Sequence, residues 1–90
     1  DALKLYRGDA DLWRMLSTAQ DGLGRTARAH RAAAEQFLLL GATPAAIEQL
    51  RLAQRAGGLD FQTASEVDAR LRQLEARWRE EQAERRENGR

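Results

Sequence analysis

The residues with most chemical promise lie together between Gly22 and Arg31. Gly22-Leu23-Gly24-Arg25-Thr26-Ala27 spells G-x-G-x-x-A, one form of the dinucleotide-binding fingerprint. In that fingerprint a strand precedes the glycines and a helix follows them. The glycines turn the chain and let backbone N–H groups approach pyrophosphate. Here the preceding segment, Asp11 to Gln20, reads as helix, so no strand and no βαβ unit is available. The match is a chance spelling. Arg25, Arg28 and Arg31 add three cations at helical spacing, opposite Leu23, Thr26, His30 and Ala33. A solvated face should lie there, and these arginines are the candidates for contacts to an acidic partner or to phosphate.

No catalytic or metal constellation can be assembled around them. The chain has no Cys and a single His. That removes thiol nucleophiles, disulfides and thiolate or histidine metal sites. The acids sit beside arginines at ion-pair spacing, as ordinary ionised surface groups do. No carboxyl is set up to hold a proton for acid–base work. His30 falls within an apolar stripe and reads as a packed, hydrogen-bonded side chain. Arg7-Gly8-Asp9 spells an adhesion tripeptide by chance. Asp9 and Asp11 read as acids at the positive end of a helix dipole. No enzyme activity, cofactor or small-molecule substrate is expected.

The bulk numbers agree with a small interaction domain. Ninety residues suit one domain with a modest core, part of whose burial a partner can supply. A net charge of +1 gives no bulk argument for nucleic acid or a membrane surface. Lys4 is the only lysine among 15 Lys and Arg. With the abundant Ala, this bias suggests a GC-rich, bacterial coding sequence. The longest apolar run is Phe37-Leu38-Leu39-Leu40, too short to cross a membrane, and the expected location is cytoplasmic.

Helix formers dominate and nothing alternates with period two, so the expected fold is all-α. Gly41 should follow a helix, with Thr43 as N-cap and Pro44 in the first turn of the next. Gly57-Gly58 should end that helix, and Asp60 or Thr63 should cap the last one; Thr63-Ala64-Ser65-Glu66 fits a capping box. Leu12, Leu16, Ala19, Leu23, Thr26, His30, Ala33, Phe37 and Leu40 keep one helical phase. The sequence therefore predicts a single long helix over 9–40 with Gly22 and Gly24 inside it, the alternative being two helices hinged there. Helices over 44–56 and 61–86 follow, the last carrying an Ala64, Val67, Leu71, Leu74, Trp78 stripe. Glu66–Arg70, Asp68–Arg72, Glu75–Arg79 and Glu81–Arg85 stand at i,i+4 along its sides. Residues 79–90 form a charged tail. The expected architecture is a long antiparallel helical hairpin with a short middle helix, an unequal three-helix bundle with coiled-coil-like packing.

Tyr6 and Trp13 lie seven apart, opposite Leu12 and Leu16, and Leu38 and Leu39 also fall away from the stripe. With Trp78 they are the candidate partner-binding residues, because exposed aromatics carry interface energy disproportionately. The expected function is a protein–protein interaction module that dimerises or docks on a helical partner. The rival is a nucleic-acid-binding regulator using the 44–75 helices or the Arg25/Arg28/Arg31 face. In a helix-turn-helix reading only Gln62, Thr63 and Ser65 could read bases, while Glu66 and Asp68 would repel phosphate.

Overall fold

Helix-stopping residues divide the chain into its elements. The computed structural model describes residues 10–19 and 25–89, and every regular element among them is an α-helix. The helices are α1 (residues 10–19), α2 (Thr26–Leu39), α3 (Thr43–Ala56) and α4 (Phe61–Asn88). Between α2 and α3, Gly41 takes φ 79°, a left-handed conformation that costs a residue with Cβ about 1–2 kcal/mol. Gly57 and Gly58 do the same between α3 and α4, at φ 69° and 76°. The carboxylate of Asp60 then accepts the backbone N–H of Thr63 at 2.7 Å and opens α4 as its N-cap. The capping role thus belongs to Asp60, and Thr63 stands inside the first turn.

The core sits where α2, α3 and α4 meet. Ala27 and Ala34 of α2 pack with Ala46, Ile47, Leu50 and Ala53 of α3 and with Val67, Leu71 and Leu74 of α4. The small alanines let the helix axes approach closely, and Leu50, Val67 and Leu74 fill the space between them. Each such large side chain contributes about 1.5–3 kcal/mol by leaving water. Phe37, Leu38, Leu59 and Trp78 close the margins of the cluster. The α4 face is the one its three-four spacing marks out.

The single helix over 9–40 does not form. Arg25 is non-helical, at φ −98° and ψ 70°, and α2 begins at Thr26. Two nearby glycines would each cost a continuous helix about 1 kcal/mol relative to Ala, and separate helices avoid that cost. Gly22 and Gly24 themselves lie outside the described residues. The expected pair of long helices around a short one is also corrected. Only α4, with 28 residues, is long, whereas α2 and α3 have 14 each.

Only part of the stripe assigned to the first helix is covered, Phe37 packing against the core and His30 against α3. Thr26 is exposed and Leu40 is 64% exposed, whereas Ala27, Ala29, Ala32 and Ala34 are buried. The reason is that α2 is covered on two sides. Ala27 and Ala34 face the core. Ala29 and Ala32, on the far side, meet α1, where Ser17 Oγ donates to the carbonyl oxygen of Ala29 at 2.8 Å. An alanine helix suits both contacts, because neither neighbour has to be held away by a large side chain.

Two smaller expectations also change. The hydroxyl of Thr43 does not cap α3. The side chain is buried, with its Oγ1 3.3 Å from Glu81 Oε1 on α4. The α4 charges also look across the helix seams rather than along their own helix. Glu66 pairs with Arg31 at 2.8 Å, Glu75 with Arg51 at 3.0 Å and Arg70 with Glu35 at 2.9 Å, and Asp68 accepts from Gln54 at 2.7 Å. Glu81 pairs with Arg77, in the reverse of the expected order. The α4 face turned toward α2 and α3 brings opposite charges of those helices within reach, and long side chains lying over a seam also cover apolar surface.

Candidate interaction face

The candidate site grows from the short helix α1. Ala10, Trp13 and Ser17 step by three and four and form its inward side. Ala10 is buried, and Trp13 and Ser17 are half-buried. The other side carries Leu12, Met15, Leu16 and Ala19, again at i, i+3, i+4 and i+7. This is a continuous apolar stripe, and it faces solvent. Leu12 and Met15 are each 62% exposed and Leu16 is 41% exposed. Leu12 and Leu16, expected in the core, are therefore surface residues. Trp13, expected on the outer face, is turned toward α2. The helix is rotated because α2 offers alanine backbone and the Ala29 carbonyl. That surface accepts Ser17 and the flat Trp13 ring more readily than a row of branched side chains.

Beside the stripe, Trp13, Leu16, Arg28, Arg31, Ala32 and Glu35 line an open groove of about 400 Å³ between α1 and α2. Its rim is charged and its floor is apolar. Among the described residues, this is where outward-facing apolar side chains are most concentrated.

The remaining candidates are scattered. Tyr6 lies outside the described residues. Leu38 packs against the core cluster, and Leu39 is half-buried. Trp78 also packs on the core, and the Arg85 guanidinium lies 5.7 Å from its ring centroid, in cation–π range. Trp78 lines a separate groove with Pro44, Ile47, Arg51, Glu75 and Arg79. The structure thus divides Trp13 from Trp78 rather than joining them on one face.

Arg25 and Arg28 line one groove with Ala56, Gly57 and Leu59, and Arg28 and Arg31 line the groove beside α1. Arg31 is engaged by Glu66. Arg28 is half-buried and close enough to Asp60 to favour its charged form. Arg25 is exposed and lies outside the helix. Asp60 shows how a charge is tuned here. Hydrogen bonds from the Thr63 side chain and backbone N–H hold its carboxyl below the usual Asp range, against an opposing desolvation effect, and Arg28 adds a last lowering contribution. That describes a capping carboxylate, not an acid–base group. His30 Nδ1 lies 2.7 Å from Gln49 Oε1. This contact makes the imidazole a bridge between α2 and α3.

At the α3–α4 junction Thr63 is buried beneath the cap, whereas Gln62 and Ser65 are exposed; Glu66 is tied to Arg31 and Asp68 to Gln54. Among the described residues there is no group of three or more His, Cys, Asp and Glu placed to hold a metal ion, and no helix is long and apolar enough to cross a membrane.

Sequence reasoning missed the outward stripe itself. It found the apolar phase of Leu12, Leu16 and Ala19 but assumed that the chain's own core would cover it. Comparison with protein-family models, with curated proteins and with solved structures returns no match.

Proposed function

We propose that this chain is a non-enzymatic protein–protein interaction module, an unequal helical bundle that works through the outer face of α1. One observation carries the reading. Leu12, Met15 and Leu16 stand exposed on a single helical stripe, while residues as small as Ala29 and Ala32 on the adjoining helix are buried. Scattered exposed apolar residues are normal on a protein surface. A contiguous stripe flanked by charge marks a binding surface. The partner is helical, because a stripe at three-four spacing is complementary to another helix laid along it. Arg28, Arg31 and Glu35, around the groove, supply the charged rim that sets register.

The test is recovery of partners from the native host with the wild-type chain and with Leu12→Glu/Leu16→Glu. Both substituted positions face water, so far-UV circular dichroism should show unchanged helix content. The expected result is a partner retained by the wild type in high salt and lost by the variant, since apolar contacts resist ionic screening. Equal recovery by both chains would remove α1 from the reading.

A further inference from the structure

The nature of the partner follows from a repeat within the chain. Trp13, Leu16 and Ala19 of α1 match Ile47, Leu50 and Ala53 of α3 in type and spacing, and each is displaced by 34 positions. In the second helices the same displacement takes Ala29 to Thr63, Ala33 to Val67, Phe37 to Leu71 and Leu40 to Leu74. The helix pairs α1–α2 and α3–α4 thus share one apolar pattern, with a period in the range of stacked helical arrays. The first helix of the second unit packs on the second helix of the first. Ala46, Leu50 and Ala53 are each fully buried, and Gln49, on the same side of α3, meets His30 of α2. Displaced back by 34, these four positions become Leu12, Met15, Leu16 and Ala19. Those are the four exposed residues of the α1 stripe. The stripe is therefore a stacking surface that no other element covers among the described residues.

The opposite end of the stack is finished differently. Displaced by 34, Ala27 and Ala34, which face α3, become Phe61, 88% exposed, and Asp68, and Gln62, Ser65, Glu66, Ala69, Arg72 and Gln73 beside them are exposed, so α4 presents a large ring and charge where α2 presents small residues. Growth of the array is thus blocked at α4 and open at α1. We propose that the α1 stripe stacks on the second helix of another helix-turn-helix unit of the same kind. That helix stands to α1 as α2 stands to α3. It presents small residues, as Ala27 and Ala34 do to α3, so that Leu12 and Leu16 reach its backbone. The proposal rests on the α1 reading above and names what covers that face. Because α4 carries Phe61 and Asp68 where α2 has Ala27 and Ala34, head-to-tail stacking of identical chains is not the arrangement.

A chain carrying residues 1–42, then residues 9–42 a second time, then 43–90, tests it. The duplicated α2 then precedes α1 as α2 precedes α3. Unfolding in urea should stay a single transition. Its m-value should rise about 1.4-fold, the ratio of 124 to 90 residues, since m follows the surface exposed. Leu16→Glu in the second copy of the unit should then lower the urea midpoint by about 2 M, while in the 90-residue chain it lowers the midpoint by well under 1 M. An unchanged m-value, or an equal effect of Leu16→Glu in both chains, overturns the proposal. Sedimentation of the 90-residue chain separates the two levels of inference. A dimer dissolved by Leu16→Glu would keep α1 as an interaction face and transfer it to a second copy, overturning the stacking proposal alone. Partner recovery that is indifferent to the face would remove both.

Discussion

Leu16 and Leu50 occupy equivalent places in two similar helices, yet their surroundings differ as much as the molecule allows. Leu50 is 0% exposed and Leu16 is 41% exposed. Substituting each by Ala removes the same atoms. At Leu50 the loss includes the transfer of those atoms to water and the cavity left between α2, α3 and α4. Such substitutions cost about 2–5 kcal/mol, and the rigid alanine walls around Leu50 leave little to relax into the hole. A value near 3 kcal/mol is expected. At Leu16 no cavity forms, and only the covered part of the side chain contributes, so about 1 kcal/mol is expected. A domain of 90 residues has a total stability of about 5–13 kcal/mol, so Leu50→Ala removes a large share. With m near 1.5 kcal/mol/M in urea, the midpoint falls by about 2 M for Leu50→Ala and by well under 1 M for Leu16→Ala. Far-UV circular dichroism reads both transitions, and Trp13 fluorescence, read in a Trp78→Phe background, reports whether α1 leaves with the rest. Equal costs at the two sites would refute the reasoning, because α1's outer face would then be covered in the isolated chain. A cost below 1 kcal/mol at Leu50 would refute the core itself.

Two further expectations concern the charged contacts. Arg70 donates to both carboxylate oxygens of Glu35, at 2.9 and 3.0 Å, and both side chains are partly covered, at 36% and 24% exposure. A double-mutant cycle with Glu35→Gln and Arg70→Met should give a coupling of about 0.5–1 kcal/mol that shrinks in molar salt; a coupling of zero would mean that the fork does not hold α2 to α4. The Asp60 carboxyl titrates below its ordinary value in the folded chain, so its contribution is present above the unfolded Asp pKa, near 3.9, and is lost as pH falls through the lower folded value. Asp60→Asn keeps a capping oxygen but cannot titrate, so its thermal midpoint should fall less steeply than the wild type's on that acid limb; parallel limbs would exclude Asp60 as the titrating cap.

The parts of this fold that were legible in the sequence are those decided by one residue at a time. Gly41, Gly57 and Gly58 stop helices because left-handed backbone suits few other residues. Asp60 starts one because its oxygen meets a free N–H. Val67, Leu71 and Leu74 mark a buried face because α4 has one neighbouring layer and a single stripe. The first 40 residues resisted the same logic because two faces of α2 are buried at once. Alanines at 27, 29, 32 and 34 carry no strong amphipathic signal, so the eye follows the larger residues, Leu12, Leu16, Phe37 and Leu40, into one helix. Those residues do share a phase, but the phase belongs to two helices with different neighbours. Periodicity records that a face seeks burial. It does not record whether the covering surface lies within the same domain. For α3 the cover is α2, and the face reads as core. For α1 the matching face meets no other element among the described residues, and the same residue pattern reads as an interface. The distinction between core and binding surface here is one of position in a stack rather than of amino-acid type, and for that reason the stripe at Leu12, Met15 and Leu16 emerges only when α1 is laid over α3.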